Sequence, residues 1–192
     1  TAIFSKYKAL SKEYKEIENY LINSGVNYTI IRPTMIYGSS KDRNISKLIN
    51  FLDRHKFFPV FGKGENLLQP IYANDIANAA FSILQNKITV QNKSYNIAGK
   101  YPLSYNQLLK IVAKKMNKSI ILIHFPFFFS YLIVKYLNVF IKNLPISTEQ
   151  VMRLNEDKAY DYSEAKNDFG FSPISFDKGV DMQVQSFKKN TK

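Results

Sequence analysis

Residues 28–38, which read Tyr-Thr-Ile-Ile-Arg-Pro-Thr-Met-Ile-Tyr-Gly, constrain the fold of this chain more than any other segment. The apolar run Tyr28–Ile31 predicts a short buried strand, and Pro33 ends it because proline withholds a backbone donor. Two hydroxyl-bearing residues follow, Thr34 and Tyr37. Open α/β sheets place ligand-binding loops at the carboxyl ends of their strands. The segment therefore predicts a buried strand that delivers a functional loop.

A helix is predicted before this strand. From about Phe4 to Ser24, apolar side chains recur at helical spacing between lysines and glutamates. Gly25 is a natural helix stop, and the strand begins three residues later. The order of helix, tight turn and strand is typical of an α/β sheet.

The rest of the chain predicts further alternation of helices and extended segments, with no internal repeat. Helices are expected around 45–52, from Asn74 or Asp75 as cap to about Leu84, and after the capping-box sequence Ser104-Tyr-Asn-Gln107. Extended segments are expected at 57–61, 69–72 and 94–98, and Gly62 and Gly64 mark a turn. Two late helices are predicted to be capped by Ser163 and Ser175, the first ending at Gly170.

These segments together resemble the short-chain dehydrogenase/reductase superfamily, specifically its extended and atypical members, the NAD-dependent epimerases/dehydratases. Besides the Arg32-Pro33 loop, the resemblance rests on three later motifs. They are Gly62-Lys-Gly64, Gln69-Pro-Ile-Tyr-Ala-Asn-Asp75 and Tyr95-Asn-Ile-Ala-Gly99, and the similarity ends with residues 162–173. The implied fold is α/β: the C-terminal part of a Rossmann-type doubly wound parallel sheet plus a small α/β substrate-binding domain.

The resemblance also implies a domain division and an incomplete cofactor site. Residues 1–38 would be the last helix and strand of a truncated dinucleotide-binding domain. Residues 39–192 would be mostly the substrate-binding domain, with a return strand at about 94–98 and C-terminal helices. None of the seven glycines forms the Gly-rich phosphate-binding turn. A missing N-terminal segment is expected to cover the edge of the predicted strand at residues 28–31 and to complete the site for NAD or NADP.

Catalytic and cofactor residues follow from the same resemblance. Lys15 falls on the position of the lysine of a Tyr-x-x-x-Lys pair, where it would bind the nicotinamide ribose, while Ser11 stands where the tyrosine would be. Pro33, Thr34 and Met35 correspond to the loop that touches the nicotinamide. A serine hydroxyl has too high a pKa to replace a phenol without a strong base beside it. The standard proton relay is therefore not expected in its usual form.

Four residues are candidates to line the substrate cleft: Tyr37, Arg43, Asn44 and Gln69. For each of them, surface or capping polarity is an equally open interpretation. Leu68 stands where related enzymes carry an arginine that pairs with sugar-nucleotide phosphates. Asp75 is expected to cap its helix and organise the adjoining loop rather than to contact a ligand.

Two functions remain open at this stage. The first is an NAD(P)-dependent epimerase/dehydratase-like oxidoreductase that acts on a sugar or a related carbonyl or alcohol substrate. The second is a non-catalytic, atypical dinucleotide-binding or assembly protein, of the type of the accessory subunit of respiratory complex I, which can be membrane-associated. Ser11 and Leu68 favour the second, and the extent of the match favours the first.

Composition excludes several other classes. The chain has no cysteine and two distant histidines, so thiolate zinc sites and paired-imidazole metal sites are not expected. The net charge is +12, but only four of the 27 basic residues are arginine, the residue that favours specific phosphate and base contacts. We therefore expect a lysine-rich solvated surface rather than a nucleic-acid groove. No secretory pattern opens the chain, so a cytoplasmic location is expected.

The segment Phe127–Leu144 is unusually apolar and aromatic. Its length approaches that of a membrane span, but Lys135, Asn138 and Lys142 interrupt it. A buried or pocket-lining helix is one interpretation. The other is an interfacial helix that makes peripheral membrane contact through Phe127, Phe128 and Phe129.

Overall fold

A computed structural model describes residues 2–5, 9–42, 44–126 and 156–190 of the 192-residue chain. A short 3-10 helix covers Ala2–Phe4. The α-helices are α1 (Ala9–Asn23), α2 (Ile45–Arg54), α3 (Ala73–Gln85), α4 (Lys87–Val90), α5 (Tyr105–Lys115), α6 (Ser163–Phe169) and α7 (Phe176–Asn190). The strands are β1 (Thr29–Pro33), β2 (Ile36–Tyr37), β3 (Phe57–Phe61), β4 (Leu67–Leu68), β5 (Ile71–Tyr72), β6 (Lys93–Ile97), β7 (Leu103–Ser104) and β8 (Ile121–Phe125).

The predicted α/β architecture is confirmed. Strands β1 and β6 pair in parallel from Thr29↔Lys93 to Pro33↔Ile97, and helices α3 and α4 lie between them in sequence. Strand β1 ends at Pro33, which pairs with Ile97, and the amide of the next residue, Thr34, still donates to the Ile97 carbonyl oxygen. Within the described residues, β6 is the only strand that pairs with β1, so the opposite edge of β1 is open there.

Two clusters of buried side chains hold these elements together. The first joins α2, α5, α7 and β3 and includes Tyr37, Leu52, Val60 and Leu109. The second joins β5, β6, α3 and α6 and includes Ile71, Tyr95 and Phe169. Helix α2 contributes Ile45, Leu48, Ile49 and Leu52 to the first cluster. Their spacing places these four side chains on one face of the helix.

The predicted helix boundaries are confirmed where they depend on local capping chemistry. The Ser104 hydroxyl accepts a hydrogen bond from the Gln107 amide at 3.2 Å, and the Gln107 side chain accepts one from the Ser104 amide at 2.8 Å. Gly170 ends α6 with φ of 72°, and the Ser175 hydroxyl accepts from the Lys178 amide in the first turn of α7.

Two predicted caps are wrong. Helix α3 begins at Ala73 after Tyr72, without a side-chain capping bond, and Asp75 instead accepts a hydrogen bond from the Ile174 amide at 3.0 Å. Helix α6 begins at Ser163, whose hydroxyl and amide both donate to Asp161. In both cases the residue that was predicted to cap the helix makes its hydrogen bonds elsewhere: Asp75 bonds to the distant Ile174, and Ser163 bonds to the preceding Asp161.

The described helices include none that is both long and apolar enough to span a bilayer. The apolar segment Phe127–Leu144 lies outside the described residues, as does its predicted helix.

Candidate functional site

A cavity of about 730 Å³ opens at the carboxyl end of β1. Apolar side chains of α2 and α5, including Ile45, Leu48 and Leu108, form one wall. The loop after β1 forms another, with Pro33 and Met35 among its lining residues. This is the position at which open α/β sheets bind ligands.

The loop after β1 is held by hydrogen bonds on both sides. The Thr34 amide donates to the Ile97 carbonyl oxygen at 3.0 Å, and the Thr34 hydroxyl, which is buried, donates to the Gln69 carbonyl oxygen at 2.5 Å. The Ile71 amide donates to the Met35 carbonyl oxygen at 3.0 Å. Because each end of the loop is tied to a different segment, its lining residues are fixed in place before any ligand arrives.

Gln69 connects three segments behind this loop. Its side-chain amide donates to the Gly99 carbonyl oxygen at 2.7 Å, and its side-chain oxygen accepts from the Tyr160 amide at 2.8 Å. The side chain is buried, with 4 % of the residue exposed. Gln69 therefore lines the cavity, but its side-chain nitrogen and oxygen are hydrogen-bonded to the backbone of neighbouring segments.

Glu18 of α1 and Arg32 of β1 form an ion pair on the cavity wall. The Arg32 Nε lies 3.0 and 3.1 Å from the two Glu18 oxygens, and a terminal guanidinium nitrogen lies 2.5 Å from Oε2. Both side chains are mostly buried: 21 % of the Arg32 side chain and 15 % of the Glu18 side chain are exposed. The Arg32 guanidinium also lies 5.5 Å from the centre of the Phe4 ring. The pair neutralises both charges and locks α1 onto β1.

Helix α1 presents Tyr14 and Glu18, not Lys15, to the cavity. Residues four apart lie on one face of a helix, so Tyr14 and Glu18 point the same way. Lys15 is exposed to solvent, and Ser11 is buried at 5 % exposure; the lining residues include neither. Tyr14 adjoins Lys15 but lies on a different face of the helix, so alignment on Lys15 did not place Tyr14 or Glu18 at the cavity; the Glu18–Arg32 contact shows which face meets β1.

The predicted site residues thus divide into three groups. Pro33, Thr34, Met35, Asn44 and Gln69 line the cavity. Tyr37, Lys15 and Ser11 do not, and Arg43 lies outside the described residues. Lys158 lines the cavity as well and was not singled out from the sequence.

Tyr37 is a core residue. Its ring is 1 % exposed and packs edge-on against Tyr72 at 5.6 Å and Phe176 at 5.1 Å between ring centres. Burial raises the pKa of the Tyr37 phenol well above its ordinary value, and the nearby Asp75 carboxylate adds to that rise. A neutral, enclosed phenol of this kind stabilises the fold.

Changing Gly179 to alanine tests this role of Tyr37. Alanine normally stabilises a helix interior, but here a Cβ at position 179 would overlap the Tyr37 hydroxyl. We expect Gly179→Ala to lower the free energy of unfolding by about 2 kcal/mol, measured by urea denaturation. Tyr37→Phe removes the overlapping oxygen, so the double variant should regain part of this loss. Equal losses in the single and double variants would contradict the assigned contact.

Acidic and histidine side chains do not cluster into a metal site in the described part of the chain. Asp75 is buried, and desolvation raises the pKa of its carboxyl, while the Ile174 amide and Lys178 act in the opposite direction. Its carboxylate is used to hold the segment before α7.

Comparison with known proteins identifies several that are similar to this chain. Residues 9–98 match the profile of the NAD dependent epimerase/dehydratase family. The N-acetyl-alpha-D-glucosaminyl-diphospho-ditrans,octacis-undecaprenol 4-epimerase of Escherichia coli O157:H7 is 26 % identical over 161 residues, covering 82 % of this chain and 48 % of the relative.

A second relative is a subunit of a mitochondrial NADH dehydrogenase. The mitochondrial NADH dehydrogenase (ubiquinone) 1 alpha subcomplex subunit 9 of Arabidopsis thaliana is 27 % identical over 95 residues, or 50 % of this chain and 23 % of the relative. Among solved structures, UDP-glucose 4-epimerase of Thermotoga maritima with UDP-glucose superimposes with a TM-score of 0.68 at 19 % identity. That match covers 95 % of this chain and 52 % of the other.

The fold is that of the Rossmann-type epimerases and dehydratases. The matched segment and the fold together confirm the resemblance to the NAD-dependent epimerases/dehydratases of the extended short-chain dehydrogenase/reductase superfamily. The chain spans about half the length of the first curated relative and of the first solved structure that it matches.

Proposed function

We propose that the protein containing this chain is an NAD(P)-dependent epimerase or dehydratase that acts on a sugar linked to a diphosphate. The observation that carries the proposal is the cavity at the carboxyl end of β1, with the fixed Pro33–Met35 loop on its wall. The match of residues 9–98 to the family model supports this reaction class, and both the E. coli and the T. maritima relatives are named as 4-epimerases of diphosphate-linked sugars.

The described residues fit one end of the cofactor. Pro33 and Met35 offer the cavity an apolar wall against which a flat nicotinamide ring can pack, and their loop is rigidly held. When bound, NAD or NADP would accept a hydride from the sugar and return one. The described residues contain no Gly-rich turn for the pyrophosphate, so this chain would hold the nicotinamide end only. The choice between NAD and NADP belongs to a part of the fold outside these residues.

Tyr14 is the candidate for the proton-handling group. Of the two described tyrosines on α1, Tyr14 lines the cavity and Tyr20 does not. Tyr105 also lines it, but burial raises the pKa of Tyr105 to about 12, which makes its proton harder to remove. In this proposal the Tyr14 phenol exchanges a proton with a sugar hydroxyl, and the neutralised Glu18–Arg32 pair positions the helix that carries it.

We expect the part of the cavity that binds the substrate to contact the diphosphate with few charged side chains. Arg32 is paired with Glu18, and Leu68 stands on the cavity wall where related enzymes carry a phosphate-pairing arginine. Lys158 is the other basic residue on the wall in the described part of the chain. Asn44 adds an amide at the start of α2. This largely apolar wall suits a diphosphate-linked sugar whose carrier is a nucleoside or a lipid.

Turnover by the full-length natural protein tests the proposal. With NAD supplied, the full-length protein is expected to interconvert members of a panel of UDP-hexoses, UDP-N-acetylhexosamines and polyprenyl-diphospho-N-acetylhexosamines. The conversion is measured by NMR of the anomeric protons. Tyr14→Phe should lower kcat by about a hundredfold without changing the thermal midpoint. Tyr20→Phe, on the same helix at 80 % exposure, is the matched control and should retain full activity.

A full rate in Tyr14→Phe would contradict the proton role of Tyr14. Loss of activity in Lys15→Ala instead would favour the role that the sequence resemblance gives Lys15.

A second candidate function is a non-catalytic dinucleotide-binding or assembly protein. The relation to the Arabidopsis respiratory subunit and the serine at position 11 favour it. It predicts NAD binding by the full-length protein, seen by calorimetry, without turnover of any sugar in the panel. That combination would replace the enzymatic proposal.

A further inference from the structure

The C-terminal helix α7 is hydrogen-bonded to the loop that precedes α2. The Gln183 side-chain nitrogen donates to the Ser39 carbonyl oxygen at 3.0 Å and to an Asp42 carboxylate oxygen at 2.5 Å. Only 5 % of Gln183 is exposed, so these bonds are largely shielded from water. Gln183 therefore links two segments that are 141 residues or more apart in sequence.

The orientation of the Gln183 amide follows from its neighbours. Both oxygens that face its nitrogen are acceptors, and a primary amide has two hydrogens to donate. The side-chain oxygen of Gln183 is buried and has no hydrogen-bond partner among the described residues. An unpaired buried acceptor costs free energy, which the two bonds to the loop have to offset. A buried polar group of this kind needs an explanation, and the loop that it holds is the place to look for one.

Asp42 connects this link to the first turn of α2. Its second carboxylate oxygen accepts hydrogen bonds from the Asn44 amide at 2.9 Å and from the Ser46 amide at 3.1 Å. The Ser46 hydroxyl donates to the Asp42 carbonyl oxygen. Asn44, the residue directly before the helix, makes no side-chain capping bond. One oxygen of the Asp42 carboxylate is thus bonded to Gln183, while the other holds the start of α2.

The start of α2 is part of the cavity wall. Asn44 and Ile45 line the cavity, and Leu48 lines it one turn later. Within the described residues, both hydrogen bonds that link residues 39–42 to a distant segment come from Gln183. A shift of this loop would therefore move the residues that line the cavity at the start of α2.

Helix α7 is itself firmly held. Val180 and Val184 lie in the first buried cluster, and Lys115 of α5 contacts Asp177 of α7 at 2.7 Å. Helices α2 and α5 form one wall of the cavity together. The C-terminal helix therefore supports both helices of that wall.

We propose that Gln183 is a positioning residue for the substrate. Through Asp42 it fixes the start of α2, so that Asn44 meets the sugar diphosphate in a set geometry. This inference rests on the proposed function, which assigns Asn44 to the substrate side of the cavity. Tyr14 and the Pro33–Met35 loop are held by other contacts. Loss of the link should therefore weaken substrate binding more than it slows the chemical step.

Steady-state kinetics of the full-length protein with UDP-glucose and UDP-N-acetylglucosamine test the proposal. Gln183→Glu places a carboxylate against the Asp42 carboxylate and the Ser39 carbonyl oxygen, and their repulsion should displace the loop. We expect KM to rise about tenfold and kcat to change less than about twofold, the pattern of lost uniform binding. Gln183→Met removes both donors without burying a charge and should raise KM about threefold or more.

Exchanging the two polar groups separates the hydrogen bond from packing. In Asp42→Asn/Gln183→Glu, the new amide at position 42 can cap α2 with its oxygen and donate to the new carboxylate at position 183. The net charge is that of the wild type. The Ser39 carbonyl oxygen still lacks its donor, so KM should return to within about threefold of wild type rather than fully. A packing role of Gln183 predicts no recovery.

Gln185 on the same helix provides the matched control. Its side-chain amide also donates to an aspartate, Asp181, at 2.9 Å, but Gln185 is exposed. Gln185→Glu makes the same change of charge on α7 without touching the loop before α2. It should leave KM and kcat at their wild-type values.

Amide hydrogen exchange without substrate gives a second readout. Gln183→Met should speed exchange of residues 42–48 severalfold and leave that of residues 29–33 unchanged, because only the first segment depends on this link. Gln185→Glu should exchange like wild type in both segments.

Three results would overturn the proposal. One is a wild-type KM in both Gln183 variants, another is a double variant no better than Gln183→Glu, and the third is unchanged exchange of residues 42–48. A wild-type protein that converts no sugar would be a failure of the proposed function alone. The exchange measurement uses no substrate, so it would still decide whether Gln183 holds the start of α2.

Discussion

Gln69→Ala is expected to lower the free energy of unfolding by about 4 kcal/mol, because two buried backbone groups would lose their partners at once. The Gly99 carbonyl oxygen and the Tyr160 amide both bond to the Gln69 side chain, at 2.7 and 2.8 Å. Each unmade buried hydrogen bond costs roughly 1–3 kcal/mol. Urea denaturation followed by circular dichroism measures the change.

Two variants separate the hydrogen bonds from the general effect of removing a glutamine. Gln107→Ala removes an exposed glutamine whose side chain caps α5, and should cost only about 1 kcal/mol. Gln69→Glu keeps an acceptor for the Tyr160 amide but places a buried carboxylate, which has no donor, against the Gly99 carbonyl oxygen, so it should cost at least as much as Gln69→Ala. A Gln69→Ala loss no larger than that of Gln107→Ala would show that water replaces both bonds.

The same position controls the shape of the site. The Gln69 carbonyl accepts the Thr34 hydroxyl, and the Gly99 amide donates to it at 3.3 Å. A Cβ at Gly99 would overlap the Pro70 carbonyl oxygen, so the two segments approach as closely as backbone allows. This close approach gives the Gln69-Pro70 and Tyr95–Gly99 motifs a common physical reason: together they support the loop after β1.

The sequence predicted those features that local rules determine. The buried strand, its end at Pro33 and the helix before it follow from periodicity and proline chemistry, and β1 and α1 confirm them. The capping box at Ser104 and the stop at Gly170 depend on residues within one turn. The parallel partner of β1 lies more than 60 residues away, and only the family resemblance indicated it.

The helical phase of α1 was not predictable from spacing alone. Consecutive residues on a helix differ in direction by about 100°, so placing Lys15 or Tyr14 at the cavity depends on which face meets β1. The Glu18–Arg32 pair sets that face, across 14 residues of sequence. Once the pair is known, Tyr14 follows as the residue one turn earlier on the same side.

Long-range packing decided the remaining site residues. Tyr37 looks like a polar group at the end of a strand, but Phe176, nearly 140 residues later, encloses its ring. Asp75 looks like a helix cap, but the Ile174 amide takes its carboxylate. In each case the partner comes from the C-terminal part of the chain. The local sequence pattern around Tyr37 or Asp75 does not predict which distant segment packs against it.

Breaking the Glu18–Arg32 pair is expected to have the other large effect on this protein. Arg32→Met leaves the Glu18 carboxylate, 15 % exposed, without its partner, and should cost about 3 kcal/mol of unfolding free energy. Glu18→Leu leaves the guanidinium unpaired and should cost a similar amount. The double variant Glu18→Leu/Arg32→Met leaves no unpaired charge, so it should lose less than the sum by about 2 kcal/mol or more.

The pair Lys12–Glu16 on the same helix provides the control for this cycle. Its nitrogen and oxygen are 3.8 Å apart, and its side chains are 81 % and 66 % exposed. The corresponding Lys12→Met/Glu16→Leu cycle should give a coupling energy of about 0.3 kcal/mol. Raising the salt concentration should reduce that small coupling further and leave most of the Glu18–Arg32 coupling, because buried charges are screened less.

The cycle also decides whether this pair is needed for more than stability. If its role is to orient α1, the double variant should stay folded yet lose kcat in the full-length protein, since nothing then fixes Tyr14 against the Pro33–Met35 loop. KM should change less, because both replacements leave the Asn44 and Leu68 side of the cavity untouched. A folded double variant with wild-type kcat would limit the pair to holding α1 on β1, and the orientation of Tyr14 would then have to come from its own packing.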